Sequence, residues 1–298
     1  MRIALVTSRG FPDPLWRDAD SPLVARELRD RGATPEIVNW DGGERVEWAG
    51  YDAVVLQSPW SMWNNLSAFD EWLWARELDG TRLLNPLDAI ALGSNKRYLS
   101  RLGDAGVPIV PTTLVERPDP DALRDLFRTV DAARPTVVAK PIAAGGTLGA
   151  REFTVEQVPA LAAYLRELGT AIVQPYVTAI DTHRELGVVT LDGAISHAVT
   201  KAAILRPGDQ ARAFHPDPQP YPGLTAQQER VIRQSYHELR NLLSNEPLSV
   251  RLDFIIDPAS PSGLLLLEVE MVAPVKFFPL FPAQCAHYAE AIIARASA

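Results

Sequence analysis

Apolar residues along this chain fall into two rhythms, short unbroken runs and longer stretches at helical spacing. Ile3-Ala4-Leu5-Val6 reads as a buried strand, and Leu23, Val24 and Leu28 then recur at helical spacing over residues 21–31, with Gly32 as a stop. Residues 34–40 and 53–56 read as two further strands. Strands alternating with helices imply a parallel sheet, and ligands of such sheets lie beyond the carboxyl ends of the strands. Those ends carry Thr7, Ser8 and Arg9, then Trp40 and Asp41, then Gln57 to Trp60. Residues 1–92 are therefore expected to form an α/β, substrate-side domain. All seven Trp fall within the first 74 residues. Trp72 and Trp74 lie on a helical stretch and are expected to pack. Trp60 and Trp63 follow a strand end and are placed to wall a pocket, with packing as the plainer reading.

The pattern then turns to mixed α+β. A helix is expected over 94–105, with Ser94 as N-cap and Gly106 as stop. Residues 107–112 read as extended and 119–130 as a helix. A strand over 136–141 carries Lys140 near its end, and a glycine-rich loop follows at 145–149. A helix over 159–168 precedes a strand over 171–174. Residues 206–223, rich in Pro, Gly and Asp, read as a long loop over a site, with Arg206 and Arg212 as candidates to close on an anion. A helix over 225–243 leads to two last strands. Boundaries are expected near 92/93 and 177/178, giving a central lobe over 93–177 and a C-terminal lobe over 178–298.

Those last strands carry the densest chemistry. Val250 to Ile255 contains Arg251 and Asp253, and Leu264 to Glu270 contains Glu268 and Glu270. Paired as an antiparallel hairpin about the turn at 257–263, they set Asp253 opposite Glu268. Three carboxylates in apolar surroundings need a compensating cation. An all-oxygen set of this kind suits Mg2+ or Mn2+, and Mg2+ commonly bridges carboxylates to substrate phosphates. The competing reading is an edge hairpin with solvated charges; the four leucines before Glu268 argue against it.

Composition narrows the field. A length of 298 residues with 47% apolar and 22% charged residues describes a globular chain of two or three domains. A net charge of -8 argues against broad contact with nucleic acid. The single Cys285 leaves no internal disulfide, fits a reducing compartment, and reads as a small buried apolar residue. The opening residues read as a strand rather than a leader, and no run reaches membrane-spanning length, so a cytoplasmic protein without membrane partners is expected. A homodimer is a further expectation.

Lys140 ends an apolar strand, where it must reach solvent or meet an anion. Lys96 falls in the first turn of its expected helix, a position that becomes favourable when the helix end faces phosphate. Gly145 and Gly146 let backbone N–H groups approach phosphate closely. Each is weak alone; together with the carboxylates they describe a nucleoside triphosphate site. The loop lacks the Gly-Lys-Ser/Thr of a Walker A motif, and kinase signatures are absent.

The ordered set Ser94-Asn95-Lys96, Val138-Ala139-Lys140-Pro141, Gly145-Gly146-Thr147, Gln174-Pro175-Tyr176-Val177, Arg184-Glu185, Lys201, Arg251-Leu252-Asp253 and Glu268-Val269-Glu270 resembles the ATP-grasp superfamily of carboxylate–amine ligases. The stretches over 196–201 and 267–274 resemble a compact branch related to glutathione synthetase, which includes cyclo-ligation of O-ureido-D-serine. The resemblance implies an N-terminal α/β domain followed by two α+β lobes that sandwich ATP. It implies that Lys96 and Lys140 touch the phosphates and that Gly145, Gly146 and Thr147 form a lid. Gln174, Tyr176 and Val177 would form the adenine hinge, and Glu185 or nearby Asp181 would meet the ribose. Asp253, Glu268 and Glu270 would hold Mg2+. Many relatives carry Asn where this chain has Glu270. The implied chemistry activates a small amino-acid carboxylate as an acyl phosphate that a nitrogen attacks, with Arg251 and Lys201 as catalytic candidates. Arg251 equally suits a salt bridge that orients Asp253, and His197 reads as structural. Thr7, Ser8, Trp60 and Lys276 are substrate-side candidates by position.

Three other readings stand beside this one. An intermolecular peptide-type ligase needs two substrate pockets where a cyclo-ligase needs one. A non-catalytic nucleotide-binding module predicts a broken carboxylate set. A dinucleotide-binding dehydrogenase predicts a G-x-G-x-x-G after the first strand, which is absent.

Overall fold

The structure, a computed structural model, describes residues 1–12, 16–43, 46–205 and 217–298. The loop residues Arg206 and Arg212 lie outside the described residues.

The first unit runs β1 (Arg2–Thr7), α1 (Ser21–Asp30), β2 (Thr34–Asn39), β3 (Ala53–Ser58), α2 (Leu66–Leu78). Its sheet is parallel in the order β2-β1-β3. Alternation sends Ile3, Leu5 and Val55 to one face and Ala4, Val6, Val54 and Leu56 to the other. Both faces are covered, which is why these strands read as continuous apolar runs. Trp72 packs against Trp40, Trp48 and Phe69. Trp74, expected to pack, instead stands 65% exposed on α2, because the helix buries Phe69 and Leu73 and turns that side outward.

Two short helices follow, α3 (Leu87–Gly93) and α4 (Tyr98–Asp104). The expected single helix from Ser94 is therefore corrected. The Ser94 hydroxyl bonds back to the Ile90 carbonyl (2.8 Å), ending α3 rather than capping α4. Lys96 sits in the turn between the helices, its N–H donating to the Ile142 carbonyl (2.9 Å), so the helix-dipole argument does not apply to it.

The next sheet is antiparallel, in the order β4-β7-β5-β6, from β4 (Thr113–Val115), β5 (Thr136–Pro141), β6 (Arg151–Thr154) and β7 (Ala171–Pro175). Helices α5 (Pro120–Asp125) and α6 (Val158–Leu168) cover one face through Leu123, Leu161 and Leu165. The short α7 (Ala179–His183) leads into the last sheet.

That sheet runs β10-β9-β8-β11-β12, from β8 (Glu185–Leu191), β9 (Ala194–Lys201), β10 (Gln219–Pro220), β11 (Ser249–Ile256) and β12 (Leu264–Glu270). Helix α8 (Ala226–Arg240) and α4 cover its inner face, packing Val231, Ile232, Tyr98 and Leu102 on Val250, Leu252, Phe254 and Leu266. The closing helix α9 (Pro282–Ser297) returns to the first unit, where Tyr288, Ala289 and Ile292 pack with Val24 and Leu28 of α1. No helix among the described residues is long and apolar enough to cross a membrane.

Candidate active site

The uncovered faces of the two antiparallel sheets meet across a cleft lined by Val138, Lys140, Gln174, Tyr176, Glu185, Arg251, Asp253, Glu268 and Glu270. The hairpin register sets Asp253 opposite Glu268 and Arg251 opposite Glu270, as the sequence pattern predicts. One irregularity makes this arrangement work. Leu264, Leu266, Glu268 and Glu270 share parity and would all face one way on a regular strand. The register shifts between Asp253 and Phe254, leaving Leu267 as the extra residue. Leu264 and Leu266 thereby enter the core while Glu268 and Glu270 turn into the cleft.

Charge pairs fill the centre. Arg251, 1% exposed, grips Asp253 through Nε (2.9 Å to Oδ1) and Nη2 (2.8 Å to Oδ2) and reaches Glu270 Oε1 (3.2 Å). Burial disfavours the guanidinium charge, yet the Asp253 and Glu270 carboxylates outweigh it and raise the Arg251 pKa. Lys201, fully buried, bridges Glu185 Oε1 (2.5 Å) and Asp253 Oδ1 (2.7 Å). Burial raises the Glu185 carboxyl pKa, with Lys201 opposing. Burial likewise raises Glu270, opposed by Arg251 and reinforced by Glu268. Lys96 pairs with Glu268 Oε1 (3.0 Å) and donates to the Ala144 carbonyl at the root of the glycine loop. Lys140 donates to Gln174 Oε1 (2.8 Å), and burial depresses its pKa, with Glu268 opposing and Lys96 adding to the fall.

The donor set of Asp253, Glu268 and Glu270 is all carboxylate oxygen, which suits a hard divalent cation. As placed, each carboxylate is held by a protein cation, and no group of three His, Cys, Asp or Glu is arranged to hold a metal among the described residues. Asp253, Glu268 and Glu270 are the residues that would hold a divalent ion, whose charge would stand in for that of Arg251 and Lys201 beside Asp253. The glycine loop supplies positive φ at Gly146 and Gly149, and Gly146 and Thr147 line the cleft.

At the other end, Gln174 is buried, its amide donating to Thr112 (2.9 Å) and accepting from Lys140 (2.8 Å). The Tyr176 hydroxyl donates to Asp181 (2.6 Å), and the Arg134 guanidinium stacks 3.5 Å from the Tyr176 ring centroid while gripping Glu152 (2.6 and 2.7 Å). Of the two ribose candidates, Glu185 lines the same cleft as the carboxylates, whereas Asp181 lines the larger outer groove beside Arg134. Val177 borders both.

Two contributors were not singled out from sequence. Arg134 lies in a turn whose partners are distant in the chain. Gly187 on β8 faces Asp253, where a Cβ would press to 3.0 Å on Oδ1; a glycine inside a strand was the available signal. Among the substrate-side candidates, Thr7 bonds Ser58 (2.6 Å), the Ser8 hydroxyl donates to the Ser58 carbonyl (3.2 Å), and Trp60 Nε1 donates to the Ala273 carbonyl (3.1 Å). Lys276 is fully buried on Gln57 (3.2 Å) and the Pro274 carbonyl (3.1 Å). His197 is buried, its Nε2 donating to the Lys276 carbonyl (2.7 Å) and its pKa pushed down to about 4 by burial. Cys285 is buried, its thiol pushed up to about 12.

Residues 3–85 match the family model of the D-cycloserine synthetase DcsG N-terminal domain. The cycloserine biosynthesis protein DcsG of Streptomyces lavendulae is 34% identical over 197 residues, an alignment covering 64% of this chain and 64% of that protein. The crystal structure of D-cycloserine synthetase DcsG matches 99% of this chain and 100% of its own, at a TM-score of 0.88 and 26% identity. An ATP-grasp ligase, PsnB, solved with precursor peptide PsnA2 and AMPPNP, matches 99% of this chain and 98% of its own at a TM-score of 0.62 and 20% identity, a likeness of fold alone.

Proposed function

We propose that the chain is a member of the ATP-grasp superfamily, an ATP- and Mg2+-dependent carbon–nitrogen ligase that closes O-ureido-D-serine to D-cycloserine. The observation that carries the reading is the cleft-facing set of Arg251, Asp253, Glu268 and Glu270, ringed by Lys96, Lys140 and Lys201. The four carboxylates Asp253, Glu185, Glu268 and Glu270 balance the four cations Arg251, Lys96, Lys140 and Lys201. A triphosphate entering this balanced site brings its own negative charge, which must arrive largely neutralised.

In this reading Lys96 and Lys140 hold the phosphates, and Gly145, Gly146 and Thr147 cover them. Backbone groups of Gln174, Tyr176 and Val177 border the base. Glu185 is the better placed of the two ribose candidates, since it lines the cleft of the carboxylates whereas Asp181 lines the outer groove. Asp253, Glu268 and Glu270 would hold Mg2+, whose contribution is to offset phosphate charge during transfer. Arg251, released from Asp253, would steady the acyl phosphate and the tetrahedral oxyanion; Lys201 would turn to the γ-phosphate. The substrate carboxylate attacks the γ-phosphorus and ADP leaves. The oxygen-bonded ureido nitrogen then attacks the acyl carbon, phosphate departs with the C–O bonding pair, and the nitrogen loses its proton; one water then removes the carbamoyl group left on that nitrogen as carbon dioxide and ammonia, which completes D-cycloserine. Cover over the cleft matters because acyl phosphates hydrolyse in water. The division at 92/93 and 177/178 belongs to the same proposal, with α9 packed on the first unit.

Supplying ATP, Mg2+ and O-ureido-D-serine with no added amine tests it. Phosphate release with a cyclised product is expected. Phosphate release that requires a second amine favours the intermolecular ligase instead.

A further inference from the structure

The N-terminal unit reaches the glycine loop through Trp63, which meets Gly145, and through its apolar cluster, against which Leu148 packs. Gly145 is buried, and a Cβ built on it would stand 2.5 Å from Trp63 Cε2 and closer still to Nε1. Gly145 is not among the residues of positive φ, so no left-handed backbone demands glycine there, and the three atoms nearest an added Cβ all belong to the indole. The loop cannot yield easily on its other side, because Lys96 holds the Ala144 carbonyl and pairs with Glu268. Trp60 lines the same recess as the indole, and it is fixed by the Ala273 carbonyl (3.1 Å) and packs edge-on against Trp16.

Trp60, Trp63 and Gly145 close a recess whose floor is Glu268 and Glu270, the two carboxylates it shares with the nucleotide cleft. The recess holds about 20 Å³, room for little more than a water molecule. On the proposed reading those two carboxylates border the phosphates, so the recess adjoins the phosphate end of the cleft. Resting on the proposed ligase reading, we infer that Trp63, stacked on Gly145, is the specificity wall of this protein: it limits the activated substrate to a small amino acid and bars extended or peptidyl carboxylates.

Two substitutions attack the contact from opposite sides. Trp63→Ala removes the wall, and Gly145→Ala pushes the indole off the loop. Binding is measured by calorimetry in the presence of AMPPNP and Mg2+, so the readout needs no turnover. The ligands are O-ureido-D-serine, its N-glycyl derivative and its N′-propylureido derivative. The affinity ratio of an extended ligand to the parent is expected to rise by about tenfold or more in both variants, the discrimination a few methylene-sized contacts provide. Trp63→Phe, which keeps an aromatic wall, is expected to preserve the wild-type ratio. An unchanged ratio in Trp63→Ala, an equal loss for all ligands, or no binding of any ligand by any of the proteins overturns the inference. Phosphate release by the wild-type protein with O-ureido-D-serine is scored separately, so a failed ligase reading is distinguishable from a failed wall.

Discussion

Replacing Lys201 with methionine isolates the charge balance of the cleft. Lys201 is fully buried and touches two carboxylates, Glu185 at 2.5 Å and Asp253 at 2.7 Å. Its stem packs as methionine would, so the loss is mainly one of charge. Asp253 keeps the bidentate grip of Arg251. Glu185 keeps no ion-pair partner among the described residues. Breaking one side of a buried pair costs about 3–5 kcal/mol when the remaining charge cannot escape. Glu185 has an escape, because it can take a proton. At pH 7, protonating a carboxyl whose reference value is 4.5 costs about 3 kcal/mol at roughly 1.4 kcal/mol per pH unit, which caps the penalty. The sign follows from the raised Glu185 pKa. A neutral Glu185 in the folded variant binds a proton the unfolded chain lacks, so the penalty shrinks as pH falls and nearly vanishes at the unfolded value. Urea denaturation of wild type and Lys201→Met at pH 7 and pH 5 should show a deficit of about 3 kcal/mol falling below about 1. Adding Glu185→Gln to the variant should recover most of the pH 7 loss. A deficit under about 1 kcal/mol at pH 7, or one equal at both pH values, would refute the reasoning.

Other perturbations reach other parts of the account. The buried His197 stays neutral in the fold while the unfolded chain protonates near 6.5, so its stabilising contribution is complete above that value and drains away as pH falls towards 4. His197→Asn should therefore flatten the wild-type stability slope over this window, by at most about 3 kcal/mol in total; parallel denaturation curves would contradict it. Arg134→Ala removes the Glu152 grip and the stack on Tyr176. It should cost about 2 kcal/mol in thermal denaturation and weaken ADP binding about tenfold; unchanged ADP affinity would remove Tyr176 from the nucleotide hinge. Gly187→Ala presses on Asp253 and Val199, and a stability loss of about 1–3 kcal/mol is expected by calorimetry. Asp253→Asn and Glu268→Gln should each abolish phosphate release while leaving the circular dichroism spectrum folded; retained release in either removes that residue from the metal assignment.

The parallel first unit was legible because both faces of its sheet are buried, which leaves runs such as Ile3-Ala4-Leu5-Val6 without polar interruption. The pairing of Asp253 with Glu268 was legible from the hairpin turn. The route by which Glu268 reaches the cleft was not, because the residue count about that turn gives no sign of the bulge at Leu267. Ser94 misled for a related reason: a serine hydroxyl serves an N-cap or bonds back to a carbonyl four residues earlier, and tertiary contact decides which. Trp74 shows that a helical stretch of aromatic residues does not reveal which of them faces inward. The cation partners of the carboxylates lie 52 and 172 positions away in the chain for Lys201 with Asp253 and Lys96 with Glu268, beyond the reach of any local pattern.

The most direct measurement follows oxygen. O-ureido-D-serine labelled with 18O in its carboxyl group is turned over with ATP and Mg2+, and the released phosphate is examined by mass spectrometry. Carboxyl activation predicts one labelled oxygen in each phosphate, with ADP and a cyclic product in equal amounts. Unlabelled phosphate, or AMP and pyrophosphate in its place, would contradict the account.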